Sequence, residues 1–338
     1  MDLLPSPEQS EIIESSRSFL AARMSTARTR ALFEAGTTPA VDPSAWSAAA
    51  ELGWFALGLP VAHDGIGGGL VDEALLFREI GRAATPGPFV STVLAARVAA
   101  FGGVASLAEE ITSGRRVGLA VTGSTPRDVQ LIDASDGLVL LVTPQRASIV
   151  EVAALDGVTT VPCVDPTVHL QRAVAPSGLM SVATVASVES DVDPIERRAN
   201  VLIAATLTGI SEWARDTSAE HAKHRVQFDR AIGVNQAIKH PCADSAVQAQ
   251  LAYAQFLFAA LAIDEGRPDA ELQALNAFVT AAAAAEFATA TTVQVLGGMG
   301  FTHEHDAHLY VKRVALWSQT LGGTPSRLSR LLAQPEPA

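Results

Sequence analysis

Six basic or imidazole side chains crowd one short stretch of an otherwise acidic chain. The segment KHRVQFDRAIGVNQAIKH, at 223–240, holds Lys223, His224, Arg225, Arg230, Lys239 and His240, while the 338 residues together carry a formal charge of -12. Arginine offers a planar fork of N–H donors that suits phosphate oxygens, so the segment is a candidate pyrophosphate site. Gln236 adds an amide just inside the helical stretch that follows, and Phe228 adds a flat apolar face. On composition alone, a solvated basic loop is the better account. A second segment changes that weighing. In QVLGGMGF, at 294–301, Gln294 interrupts an apolar run, and Gly297 and Gly298 let another backbone or a cofactor come close. A lone Gly-Gly-x-Gly is a weak signal, but the two segments in this order on one helical bundle are not.

Two other clusters carry less. The glycines at 65 and 67–69 precede a helix but follow no convincing strand, so they read as a plain turn and not as a phosphate cradle. His303, Glu304, His305 and His308 suggest a metal set, with His305 and His308 on one helical face. A metal site would need a further ligand that the sequence does not name. We therefore assign no metal there, only capping and cross-linking.

The elements that must position these residues read as mostly α with a small β domain. Helices are expected at 7–21, 46–52, 71–80 and 89–100. Between 116 and 185 the pattern turns to short β-branched runs (VGLAV, LVLLV, SIVEV, TTVPCV and HLQRAVA) separated by Gly, Pro, Asp and Ser. About five strands in a small sheet or partial barrel would follow. From Pro194 the helical period returns, with helices expected at 194–224, 235–265, 268–296 and 303–317, a four-helix bundle. The chain thus divides into a helical part at 1–115, a β part at 116–185 and a bundle at 194–333.

Composition excludes some partners. The charge of -12 argues against a nucleic-acid binder, which needs a basic face. Cys163 and Cys242 lie far apart, make no metal or redox spacing, and fit a reducing cytoplasm. The acidic start lacks the basic and apolar regions of a signal peptide. The alanine-rich run near 280–290, broken by Glu286, reads as a buried helix and not as a membrane span.

R-x-Q-F-x-x-x-I-G-x-x-Q, then Q-x-x-G-G-x-G-F-T-x-E, then Lys312-Arg313, resembles the acyl-CoA dehydrogenase family. The match is good over about 200–330, moderate in the N-terminal helices through EIGRA, and poor in the middle. The resemblance implies that family's fold and FAD, with α,β-dehydrogenation of an acyl-CoA thioester. It points to Arg225, Gln227, Phe228, Gln236, Gln294, Gly297, Gly298 and Thr324 as contacts to FAD, the arginine reaching the pyrophosphate of a neighbouring subunit. An electron-transfer acceptor is implied as well.

The family's base is missing. A carboxylate must take the α-proton. Aligned on Lys312-Arg313, the usual glutamate position is Gly322, and the other position that relatives use is Ala199. Glu196, three residues before Ala199, is the nearest relocated candidate. The middle part also lacks the Thr-Glu-Pro and Trp-Ile-Thr stretches that hold the flavin ring, and it looks shortened. The chain therefore resembles the shortened, base-lacking subunit of actinobacterial steroid-degrading acyl-CoA dehydrogenases, α2β2 assemblies. That implies a full-length paralogue as partner and a bulky acyl-CoA, such as a sterol side-chain thioester, as substrate. A self-sufficient enzyme using Glu196 and a non-enzymatic scaffold are the alternatives.

Overall fold

The computed structural model describes residues 3–123, 125, 127–186 and 194–334. Helix α1 (Pro7–Arg23) starts where the sequence signals it. Ser6 Oγ accepts from the Gln9 N–H at 3.2 Å, and Gln9 Oε1 accepts from the Ser6 N–H at 3.1 Å. Helices α2 (Thr26–Glu34), α3 (Pro43–Glu51), α4 (Leu70–Arg82), α5 (Phe89–Phe101) and α6 (Ala105–Thr112) follow. Asp42 caps α3 by accepting from Ser44 N at 2.9 Å. The short α2 and α6 were not expected. The exposed, Arg/Thr-rich α2 shows no apolar face in sequence.

The middle sheet has seven strands, not about five: β1 (Gly118–Thr122), β2 (Asp128–Ile132), β3 (Leu138–Val142), β4 (Arg146–Glu151), β5 (Asp156–Thr160), β6 (Leu170–Val174) and β7 (Ala183–Ala186). Their order is β5-β6-β2-β1-β3-β4-β7. Only β1 and β3 pair in parallel; the other neighbours are antiparallel. The expected strand TTVPCV does not form past Thr160. The edge strand β5 instead starts at Asp156 and is mostly exposed, so it shows no apolar alternation. The chain also returns after the turn at Gly178 to add β7.

The bundle comprises α7 (Ile195–His224), α8 (Gln236–Asp264), α9 (Ala270–Leu296) and α10 (Ala307–Trp317), joined by α11 (Gly323–Leu332). The fourth helix starts at Ala307, not His303, and α11 lies beyond the four expected. Its Gly-Thr-Pro-Ser start reads as a turn in sequence, which hid it. Helices α8 and α9 are apolar and long enough to cross a bilayer by length and composition. Alanine-rich faces of both are buried within the bundle.

Helix α4 is held against α7 by two glycines. A Cβ on Gly81 would lie 1.9 Å from the Thr206 carbonyl oxygen, and one on Gly209 would lie 1.9 Å from that of Arg78. Backbone thus meets backbone at the crossing. One turn along, Arg78 grips Glu212 with Nε and Nη2 at 2.8 and 3.0 Å. Arg17 of α1 grips Glu79 in the same two-point manner at 2.9 and 3.0 Å. The carboxylate of Asp264, at the end of α8, accepts from the Leu70 N–H at 2.8 Å and so caps α4.

The sheet is tied to the helices through Arg313 of α10. Its Nε donates to Asp165 at 2.5 Å, Nη2 to Thr167 Oγ1 at 2.8 Å and Nη1 to the Thr85 carbonyl at 2.8 Å. Beside it, buried Asp133 accepts from the His169 N–H at 2.8 Å. Burial pushes its carboxyl up to about 7, with Arg313 and Arg116 opposing.

Gly209→Ala should destabilise the fold by about 2 kcal/mol or more, read as a lower urea midpoint. For Asp133 the folded pKa lies above the ordinary 3.8. The folded protein therefore keeps a proton that the unfolded chain releases, and stability falls as pH rises across that window to about 7. Asp133→Asn should flatten this slope and unfold at a higher temperature than the parent above pH 7.

Candidate functional site

Helix α7 ends at His224, and the chain turns at once into a hairpin of β8 (Val226–Gln227) and β9 (Arg230–Ala231). The Arg225 N–H still reaches the His221 carbonyl at 2.8 Å, and the Ile232 N–H closes the hairpin on the Arg225 carbonyl at 2.8 Å. At the tip, Phe228 and Asp229 both take positive φ, 52° and 61°. Such a two-residue turn usually takes Asn-Gly, so a bulky residue here is strained. Phe228 is 94% exposed. Gly233 lets the exit pack on α7, since a Cβ there would lie 2.8 Å from the Ala222 carbonyl. Gln236, the first residue of α8, is exposed.

The second segment is brought to the same end by a lock between α7 and α9. Thr292 Oγ1 lies 2.9 Å from Ser218 Oγ and 2.9 Å from the Ala214 carbonyl. Beyond this lock both chains run outward, one to Arg225, the other to Gln294 and the glycines. The pKa of His221 is held down by burial first, then by the charges of Arg225 and His305. That side chain therefore marks where the hairpin and the segment after α9 approach. Gln294 is exposed. Gly297 takes φ 64°, and neither it nor Gly298 has any atom within 4 Å of where a Cβ would stand, so this backbone faces open space. Gly300, by contrast, packs inward on the Val293 carbonyl.

Charge at this end is unevenly satisfied. Lys223 and His224 pair with Glu220 at 3.7 and 2.5 Å. Arg230 donates to Asn235 at 3.1 Å. Among the described residues no carboxylate pairs with Arg225, whose side chain is exposed. At this end stand Val226, Val234, Met299 and Phe301, each 45% to 76% exposed. The sequence reading missed this apolar collar.

The two base positions lie elsewhere. Ala199 is buried in α7. Gly322 sits in the turn before α11 at φ 90°, between Leu321 at 52° and Gly323 at 67°. Thr324 follows, its N–H donated to the Ser318 carbonyl at 3.1 Å and its hydroxyl 3.5 Å from the same oxygen. Glu196 is buried and bound to Arg330 Nη1 at 2.6 Å; Arg330 Nη2 holds Glu271 at 2.6 Å. A carboxylate neutralised in this way is an anchor between α7 and α11.

The other two clusters resolve simply. At the glycine turn, the Gly69 N–H is taken by Asp72 at 2.9 Å and the Leu70 N–H by Asp264. The start of α4 is thus occupied by acidic groups that would repel a phosphate. In the histidine cluster, His303 meets His308 with ring centroids 4.7 Å apart, while His305 Nδ1 accepts from Ala307 N at 3.1 Å. The expected pairing of His305 with His308 on one face fails because α10 begins only at Ala307. Among the described residues no three metal-capable groups gather.

A helical layer, a mixed sheet and a helical bundle in this order form a fold that solved structures share. The chain aligns with one chain of the ChsE4-ChsE5 complex from Mycobacterium tuberculosis at TM-score 0.85, covering 100% of both at 20% identity. It aligns with the Tcur3481-Tcur3483 steroid ACAD G363A variant at 0.79, covering 96% of this chain and 97% of that one at 22% identity. Family models match as well: acyl-CoA dehydrogenase N-terminal domain over 6–107 and C-terminal domain over 197–334. The acyl-CoA dehydrogenase IpdE2 of Mycobacterium tuberculosis is 32% identical over 333 residues, 97% of this chain and 98% of the relative. FadE34 of the same organism is 32% identical over 318 residues, but these span 89% of this chain and only 43% of FadE34. The chain belongs to the acyl-CoA dehydrogenase family, whose cofactor is FAD.

Because Glu196 is anchored and not free, Glu196→Gln should cost about 2 kcal/mol of stability. Thermal unfolding of the variant beside Arg330→Ala checks this, and the two losses should not add.

Proposed function

We propose that this chain is one subunit of a hetero-oligomeric, FAD-dependent acyl-CoA dehydrogenase. In this reading Arg225 reaches the FAD diphosphate held mainly by a full-length paralogue, with Gln227, Phe228 and Gln236 supporting it; Thr324, tied through α11 to the start of α7, is not brought to this end. The Gln294, Gly297 and Gly298 backbone approaches the same cofactor. The partner supplies the base that Gly322 and Ala199 cannot be. The substrate class is an acyl-CoA thioester, and a sterol side-chain thioester is the member we favour.

One observation carries the reading: the groups suited to a cofactor are exposed at the end of the bundle, while the two positions expected to carry the base are Gly322 and Ala199. Arg225 stands exposed, with no carboxylate partner among the described residues, at the same end of the bundle as the open glycine backbone. That fits a dianionic diphosphate brought by another chain, where a charged fork gains most once water is excluded. The ring side fits less well. Strand β1 lies against the turn at 320–322, and Leu119, Leu140 and Ile149 share one buried core with the helices. FAD when bound supplies the acceptor for hydrogen from Cβ. What this chain supplies is charge, an apolar collar and shape. The ChsE4-ChsE5 complex and the Tcur3481-Tcur3483 steroid ACAD, which this chain resembles in fold, support a two-chain assembly and a steroid-derived acyl group.

The self-sufficient alternative needs Glu196 as base, and its ion pair with Arg330 speaks against that. In the complex purified with its paralogue, Arg225→Ala should lower FAD occupancy severalfold, read from flavin absorbance per complex. An unchanged occupancy would favour the scaffold alternative. The chain purified alone should neither carry stoichiometric FAD nor reduce a dye acceptor with acyl-CoA. If it did both, the shared-site reading would be wrong.

A further inference from the structure

Helix α8 carries an apolar stripe whose middle is left uncovered among the described residues. The helix packs against α4, α7 and α9, yet on its outer side Val247 and Leu251 stand 59% and 58% exposed. They belong to a longer row. His240, Asp244, Val247, Leu251 and Ala254 follow one another at steps of four, three, four and three residues. Phe258, Leu261 and Glu265 continue the same alternation. A repeat of about 3.5 residues keeps one row of side chains on one face, the pattern that a helix presents to another helix along a seam. Ala254, Phe258 and Leu261 are half-buried, while both ends of the row, His240 with Asp244 and Glu265, are exposed. The row is about 38 Å long at the rise of an α-helix.

The row matches itself. Laid antiparallel on a second copy, with His240 opposite Glu265, it sets Leu251 opposite Ala254, a large side chain against a small one. Val247 then falls opposite Phe258, and Asp244 opposite Leu261 at the edge of the row, where its carboxylate stays in water. The imidazole at each end meets a carboxylate, and the two helix dipoles run opposed. A parallel pair would instead set His240 on His240, Asp244 on Asp244 and Glu265 on Glu265. Charge narrows the occupant further. The whole chain carries -12, so two copies repel over most of their surfaces. Residues 245–263 of α8 contain no Asp, Glu, Lys or Arg. Along that run two copies can meet without opposing like charges.

We propose that the outer face of α8 is a two-fold contact between two copies of this chain, made by antiparallel pairing of α8 with its own counterpart around Leu251 and Ala254. The contact uses neither the hairpin nor a cofactor, so it is independent of the shared-site reading. Where that reading holds, it supplies the like-with-like junction that joins two pairs of unlike chains into one assembly.

The test is the mass of the chain purified alone, followed by sedimentation velocity over a range of concentrations. The parent chain should dimerise. Leu251→Glu places two carboxylates near the two-fold axis. It should raise the dimer dissociation constant about a hundredfold, with helix content and unfolding temperature kept. His240→Glu opposes a carboxylate to Glu265 and should weaken the dimer; adding Glu265→Lys should restore it. In the complex with its paralogue, Leu251→Glu should halve the mass and leave the FAD content per chain unchanged. A monomeric parent, or a Leu251→Glu chain that still dimerises, would overturn the proposal. Failure of Glu265→Lys to rescue His240→Glu would overturn the antiparallel register. Leu251→Glu parting this chain from its paralogue would make the paralogue the occupant and overturn the contact between copies. Should Leu251→Glu not fold, Leu251→Gln decides by the same masses. Loss of FAD on Arg225→Ala reports on the shared site alone and leaves this outcome untouched.

Discussion

The crossing of α4 over α7 is the constraint on which the rest of the structure depends. Gly81 and Gly209 remove the two Cβ atoms that would keep the helices apart. Only at that separation can Arg78 grip Glu212 at 2.8 and 3.0 Å. Each of these carboxylates and guanidiniums is largely removed from water, where an unpaired charge would be costly. The pairing therefore holds the N-terminal helices in register on the bundle. The register carries on along α7, through the Ser218–Thr292 lock, to the end where Arg225 leaves the helix. A site built of outward-pointing groups needs such rigid support, because only the hairpin's own short bonds hold it locally.

Much of the fold was legible because long helices repeat their signal. The ends of the bundle helices at His224, Asp264 and Leu296 were placed to within a residue, since Gly, Pro and polar breaks bracket them. The sheet was harder. β5 is an exposed edge strand and β7 has four residues, so neither carries enough alternation to stand out. α11 was hidden because its first residues, Gly-Thr-Pro-Ser, are turn formers that here serve as a helix start.

The site divides in the same way. Arg225, Phe228, Gln294 and the glycines were visible as motifs, and the fold brings both segments to one end of the bundle. The apolar collar was not visible, because Val226, Val234, Met299 and Phe301 lie in short breaks between helices, where no periodicity marks an exposed face. Arg330 and Arg327 were equally silent. SRLSR reads as an amphipathic surface stretch, and only packing shows that one arginine is buried whole and the other anchors Glu196.

The cluster that first drew notice also makes the molecule electrically lopsided. Its net charge is -12, yet basic side chains gather around one hairpin at one tip. That tip carries a local charge opposite in sign to the whole molecule. In the field of an anionic surface it would swing that tip forward before any contact forms, and two like copies would be turned away from most approaches. Partner capture would then be fast and oriented at low ionic strength, and would slow as salt shortens the reach of the field.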